Sequence, residues 1–153
     1  MTGAGGLWEP PEVARALAPC LGRQPIAAAW LYGSLARGDV RQDSDVDLAV
    51  LFAAHLKTDR RRVLREIERA AAMALAAREV SLVDLENAPL LLRHRVLRDG
   101  VLLAEADPGA RSRFAARVLE TYSETRAVRC TLDRATRYRL AHRVPAAGAI
   151  EGW

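Results

Sequence analysis

LYGSLARGDVRQDSDVDLAV, residues Leu31 to Val50, links two short apolar runs, Ile26 to Tyr32 and Val46 to Phe52, through a polar segment. Runs this short, bounded by turn residues and containing β-branched or aromatic side chains, predict buried strands, so the polar positions fall at strand edges. Gly33 and Ser34 close the first strand. Glycine there lets the backbone take a positive φ or approach a ligand closely. Ser34, Leu35 and Ala36 suit a short helix whose free N–H groups favour an anion such as phosphate. On the second strand Asp45 and Asp47 stand two apart, so both carboxylates share one face while Val46 takes the other. At a separation of ~5 Å and an effective dielectric of ~20 they repel by roughly 3 kcal/mol, which calls for a cation. Mg²⁺ fits, because it takes one or two carboxylates and completes its shell with substrate phosphate oxygens. Asp43 and Ser44 add polarity just ahead of the pair.

Gly33-Ser34, ten residues, then Asp45-Val46-Asp47 resembles the signature of the polymerase-β-like nucleotidyltransferases. The run Gly33 to Asp39, GSLARGD, resembles the minimal nucleotidyltransferase (MNT) branch, which includes the MntA-type antitoxins paired with HEPN toxins. The resemblance covers roughly Ile26 to Glu105 and the helical region beyond it more loosely. Val80 to Leu103 is similar to the family segment in which an acidic strand leads into an Ala-Pro turn, a Leu-rich helix and an Asp-Gly end. The fold this implies is α/β (α+β), a polymerase-β-like nucleotidyltransferase with a small mixed sheet flanked by helices and a C-terminal helical extension.

Composition agrees with one soluble unit. The chain has 153 residues, half of them hydrophobic and 27% charged, enough to bury a core without staples. Cys20 and Cys130 have no motif spacing, which points to a reducing cytoplasm and no structural zinc. No leader and no apolar run of about 18 residues is present, so no membrane is expected. The net charge of +4 is almost all arginine, Lys57 being the one lysine. Those arginines are scattered over several predicted helices without interleaved aromatics, so direct nucleic-acid binding is not expected.

Outward from the central stretch, Met1 to Gly6 is a Gly-rich tail, and Pro10-Pro11 precede a helix over Glu12 to Cys20 that Gly22 ends. Lys57 to Ala77 has the 3.6-residue period of a helix that covers the sheet, with Val63, Leu64, Ile67, Ala71 and Leu75 on one side. Val80 to Leu85 reads as a third strand. Asn87 is an N-cap candidate for a helix ending at Arg98 with Leu91, Leu92, Val96 and Leu97 partly buried, and Asp99-Gly100 stops it. Val101 to Leu103 is a short fourth strand. A long helical stretch from Gly109 to Arg143 follows, which Ser123-Glu124-Thr125 can break in two, and Pro145 to Trp153 is a tail. The expected divisions are a nucleotidyltransferase domain over 1–106, a helical extension over 107–144 and the tail.

By the resemblance, Asp45 and Asp47 are the metal-binding catalytic pair, with Mg²⁺ as cofactor and ATP as substrate. Gly33 and Ser34 cradle the triphosphate, and Arg37 contributes a guanidinium fork that matches phosphate oxygens. The superfamily uses a third acid on a neighbouring strand, at a position that here is Ser81. Asp84 is then the nearest catalytic candidate, with Glu79 behind it. The period of two puts Asp84 with Val80 and Leu82, opposite Ser81, so it stands either as the third carboxylate or as a cap for the turn at Glu86 and Asn87. His55, His94 and His142 have no mutual spacing or nucleophilic partner and read as surface or core residues.

The implied activity is transfer of AMP from ATP to a tyrosine hydroxyl on a HEPN-domain toxin, with a homodimer or a hetero-oligomer with the toxin as the assembly. The alternative is an MNT-fold binding module that neutralises the toxin by occupying it through the arginine-rich final helices. Transfer to a small acceptor is the weaker reading, since the chain lacks room for a second substrate domain.

Overall fold

Two antiparallel pairings and one parallel pairing build the sheet that the apolar runs foretell. The computed structural model describes residues 8–38, 45–54, 56, 59–76 and 79–141. Strands β1 (Ile26–Tyr32), β2 (Val46–Phe52), β3 (Val80–Asp84) and β4 (Val101–Glu105) lie in the order β3-β2-β1-β4. β1 is antiparallel to both β2 and β4, and β2 is parallel to β3. Helices α1 (Pro10–Leu21), α2 (Gly33–Arg37), α3 (Arg60–Leu75), α4 (Leu90–Asp99) and α5 (Pro108–Ala141) complete the described chain. The expected terminal tails, Asp43, Ser44, His55, Lys57 and His142 lie outside the described residues. Among the described residues no helix is long and apolar enough to cross a membrane.

Side-chain alternation on the central strands divides the core into two layers. Val46, Leu48, Val50 and Phe52 of β2 face α1 and α3, where Val13, Leu17, Val63, Ile67, Ala71 and Leu75 are buried against them. The other side of the sheet carries Ala28, Trp30, Ala49 and Leu51, covered by Val96 of α4 and by Phe114 and Val118 of α5. The mixed sheet flanked by helices is as expected from the alternation of strand and helix patterns.

Three local expectations are corrected. The helix after β3 starts at Leu90 with Pro89 at its N-cap, and the Asn87 side chain is not the cap because it donates to the Asp84 carboxylate at 2.7 Å. Leu91 is exposed rather than partly buried, because it points off the seam that Val96 defines. Ser123-Glu124-Thr125 does not interrupt α5, which runs unbroken through it. Thr121 and Thr125 return their hydroxyls to carbonyls one turn back, on Arg117 and Thr121, so they bond within the helix instead of ending it.

Candidate active site

The end of β1 and the start of β2 converge because the two strands are antiparallel. Tyr32 lies opposite Asp47, and Asp47 lies opposite Ser81 across the parallel pair, so the three form one row across β1, β2 and β3. Residues paired across strands project on the same face, and this row is on the α4 and α5 side, continuous with Ala49 and Leu51. Asp45 is exposed just ahead of β2, and Asp47 is half-buried.

Gly33 follows Tyr32 with φ +78° and begins α2. A Cβ on Gly33 would overlap Oδ2 of Asp47 and come within 3.1 Å of its Cγ. The glycine is thus required twice: for a left-handed backbone, and for the space in which the Asp47 carboxylate sits. Ser34 to Arg37 complete the short helix, and Gly38, also at φ +78°, closes it with its N–H directed at Leu35 and Ser34 carbonyls. The Gly-Ser turn and Asp47 are therefore one packed unit.

The electrostatics of the row follow from burial and like charge. Burial first, and then the neighbouring Asp45 carboxylate, push the Asp47 acid up from its ordinary range, while the Arg37 guanidinium opposes them. The Tyr32 phenol is also raised, by burial and by the Asp47 charge, with a hydrogen bond from Ser81 pulling the other way. Arg37 influences Asp99 at the end of α4 as well, so its charge stands between the Asp pair and the α4 terminus. A carboxylate disfavoured by burial and by a second carboxylate is a group that binding of a cation relieves. Asp45 and Asp47 thus fit a hard divalent ion. Among the described residues no cluster of three or more His, Cys, Asp or Glu has metal-binding geometry.

Asp84 is placed elsewhere. It pairs with Val50, three residues past Asp47, and belongs to the opposite sheet face, where it is 8% exposed. Its carboxylate accepts from Arg60 Nη1 at 2.9 Å, from the Glu86 N–H at 3.0 Å and from Asn87 Nδ2 at 2.7 Å. Arg60 also pairs with Glu86 at 2.6 Å. Asp84 thus ties the N-terminus of α3 to the turn after β3, and the structure does not bring it together with Asp45 and Asp47. The position in register with Asp47 is Ser81. Tyr32 is the site residue that sequence reasoning passed over: its place beside Gly33 was visible, but its pairing with Asp47 depends on the strand register. A separate cleft of about 400 Å³ lined by Leu90, Arg93, Phe114 and Arg117 lies toward the start of α4, away from this row.

The family model for polymerase beta nucleotidyltransferases matches residues 17–109, more than half of the chain. This chain belongs to the polymerase beta nucleotidyltransferase family. Among solved structures, this nucleotidyltransferase is similar to a toxin-antitoxin determined with AMP-PNP, at 26% identity and a TM-score of 0.66 over 81% of this chain and 98% of that one. A mutant of the toxin-antitoxin MntA-HpeT matches at 25% identity and a TM-score of 0.59, over 83% of this chain and 97% of that one. A tri-AMPylated HEPN toxin of Shewanella oneidensis in complex with MNT antitoxin shares the fold, at 23% identity, a TM-score of 0.60 and coverage of 82% and 98%. No curated protein sequence is significantly similar.

Proposed function

We propose that this nucleotidyltransferase is an antitoxin-type enzyme that transfers AMP from ATP to a tyrosine hydroxyl of a HEPN-domain toxin and so neutralises it. The observation that carries the reading is the packing of Asp47 into the space left by Gly33, which joins the turn suited to a triphosphate to the carboxylate pair suited to a metal. Similarity to a toxin-antitoxin determined with AMP-PNP supports ATP as the nucleotide and a toxin as the partner.

In this reaction the acceptor oxygen attacks the α-phosphorus, the bond from that phosphorus to the bridging oxygen of pyrophosphate breaks, and the hydroxyl proton leaves for solvent. Gly33 and Ser34 hold the phosphates through backbone N–H groups, and Arg37 neutralises part of their charge. Asp45 and Asp47 would hold Mg²⁺, which when bound offsets charge on the phosphates. Most of the rate enhancement then comes from positioning and fixed charge rather than covalent chemistry.

Ser81 favours a second reading. It stands beside Asp47 where the superfamily places its third acid, and Asp84 faces away, which suits a chain that neutralises the toxin by binding alone. Incubation with a HEPN-domain toxin, labelled ATP and Mg²⁺, followed by mass spectrometry of that toxin, separates the two. A gain of AMP that disappears in Asp45→Asn/Asp47→Asn is the expected outcome. Neutralisation without any gain in mass would establish the binding module instead.

A further inference from the structure

α5 starts beside the far end of β1, where Ala106 and Asp107 donate to the Ala27 carbonyl, and packs along that strand toward Tyr32. The fourteen steps from Pro108 to Tyr122 rise about 21 Å as a helix, close to the ~20 Å length of β1. Tyr122 lies beside α4, against His94 and near Arg98, and the remaining nineteen residues to Ala141 carry α5 about 28 Å past it. The helix is clamped at this point. The Tyr122 ring stacks on His94 of α4 with centroids 3.6 Å apart, and the Arg129 guanidinium covers its other face at 3.8 Å while donating to the Tyr122 carbonyl. The projecting half is thus aimed by the body.

One seam runs through both halves. Phe114, Val118, Thr121, Thr125, Val128 and Leu132 are spaced four and three residues apart in alternation, the repeat by which helices pack along one another. Phe114 and Val118 spend that seam on the core, whereas Val128 and Leu132 are 60% and 59% exposed. Residues 123–141 carry five arginines against Glu124 and Asp133, a net charge of +3. Two copies of such a helix repel each other, and an acidic helix does not.

The geometry points to the projecting half of α5 as a docking strip for an acidic, amphipathic helix of the protein acceptor. This rests on the AMP-transfer reading for the identity of the acceptor. Exposed valine and leucine on the seam favour a protein helix over nucleic acid, whose phosphates would use the arginines alone. A strip with two apolar anchors gives a modest, reversible contact suited to a substrate that must leave after modification.

The test uses the full chain and a HEPN-domain protein as the acceptor. Val128→Asp/Leu132→Asp should raise KM for the HEPN protein about tenfold or more, with kcat at saturation and KM for ATP unchanged. Met73→Asp, at an exposed site on α3 in the opposite layer, should change none of these. Thermal melting of all three proteins verifies the fold. An unchanged KM in the double variant overturns the docking strip. So does a native dimer of this chain that the double variant dissolves, or an RNA complex that it loses. Co-sedimentation separates this inference from the one it rests on. A HEPN protein that binds the native chain and not the double variant, yet gains no AMP, sustains the docking strip and sinks the transfer reading. A HEPN protein that never binds overturns both.

Discussion

Replacing Gly33 by alanine tests the coupling between the turn and the carboxylate pair, and Gly38→Ala is its internal control. Both glycines have φ +78°. Alanine in the left-handed region costs about 1–2 kcal/mol, which at this chain length lowers Tm by roughly 2–8 °C. The two sites differ in surroundings: nothing lies within 4 Å of a Cβ on Gly38, whereas a Cβ on Gly33 meets the Asp47 carboxylate. The clashing atoms belong to the tip of a side chain, so the fold survives and the carboxylate yields. Restoring ordinary contact moves Oδ2 by about 1 Å, and a displacement of that size in a catalytic group costs on the order of 100-fold in rate, near 2.7 kcal/mol. Thermal unfolding followed by circular dichroism, together with AMP transfer at saturating ATP and Mg²⁺, gives the two readouts. The expectation is similar losses of Tm in both variants and a loss of activity confined to Gly33→Ala. Equal activity in the two variants, or a greater loss in Gly38→Ala, would refute the claim that Gly33 shapes the seat of Asp47.

Three further outcomes follow from the same geometry. Asp84→Ala leaves the Glu86 N–H and Asn87 amide without their acceptor and should cost about 2 kcal/mol of stability, read by denaturant titration, with transfer per folded molecule unchanged; a selective loss of activity would return Asp84 to the site. For Asp47 the sign is fixed by its raised acid: folding favours the protonated form, so stability is full below the ordinary value of 3.8 and declines as pH rises through the folded value. Metal-free Asp47→Asn should therefore melt above the native protein at pH 7, with the gap closing below pH 3.8, and a gap that widens on acidification would contradict the assignment. Ser81→Asp adds a carboxylate in register with Asp47 and should speed AMP transfer roughly tenfold or more if a third acid is what the site lacks; no gain means that hydroxyl deprotonation does not limit the rate.

The central strands and the site motif were legible because their signals are local. Ile26 to Tyr32 and Val46 to Phe52 are dense apolar runs with punctuation at Gly33, and Asp47 falls inside the second of them while Asp45 stands just ahead of it. The same period put Asp84 opposite Ser81, and the structure keeps it there, held by Arg60 from a helix twenty-four residues away. That partner could not be read ahead, because the approach of α3 to the turn after β3 is a tertiary fact. Asn87 misled for a related reason: its side chain suits a cap, but the Asp84 carboxylate competed for it and won. The break expected at Ser123-Glu124-Thr125 failed because threonine can satisfy its hydroxyl inside a helix.

What remains is how so small a unit selects its acceptor. The row of Tyr32, Asp47 and Ser81 occupies a sheet edge, and the described residues add no further domain above it. In the proposed reaction the Gly-Ser turn, the metal and the guanidinium would recognise the nucleotide, not the group that receives AMP, so discrimination among hydroxyls would come from contacts outside the row. α5 packs on β1 and α4, it is clamped through Tyr122 between His94 and Arg129, and it carries exposed apolar residues beyond the clamp. Under the proposed transfer, binding energy gathered there would raise the effective concentration of one hydroxyl at the α-phosphorus without altering the chemistry, so acceptor choice is expected to change by surface substitutions on α5 while Gly33, Asp45 and Asp47 stay as they are.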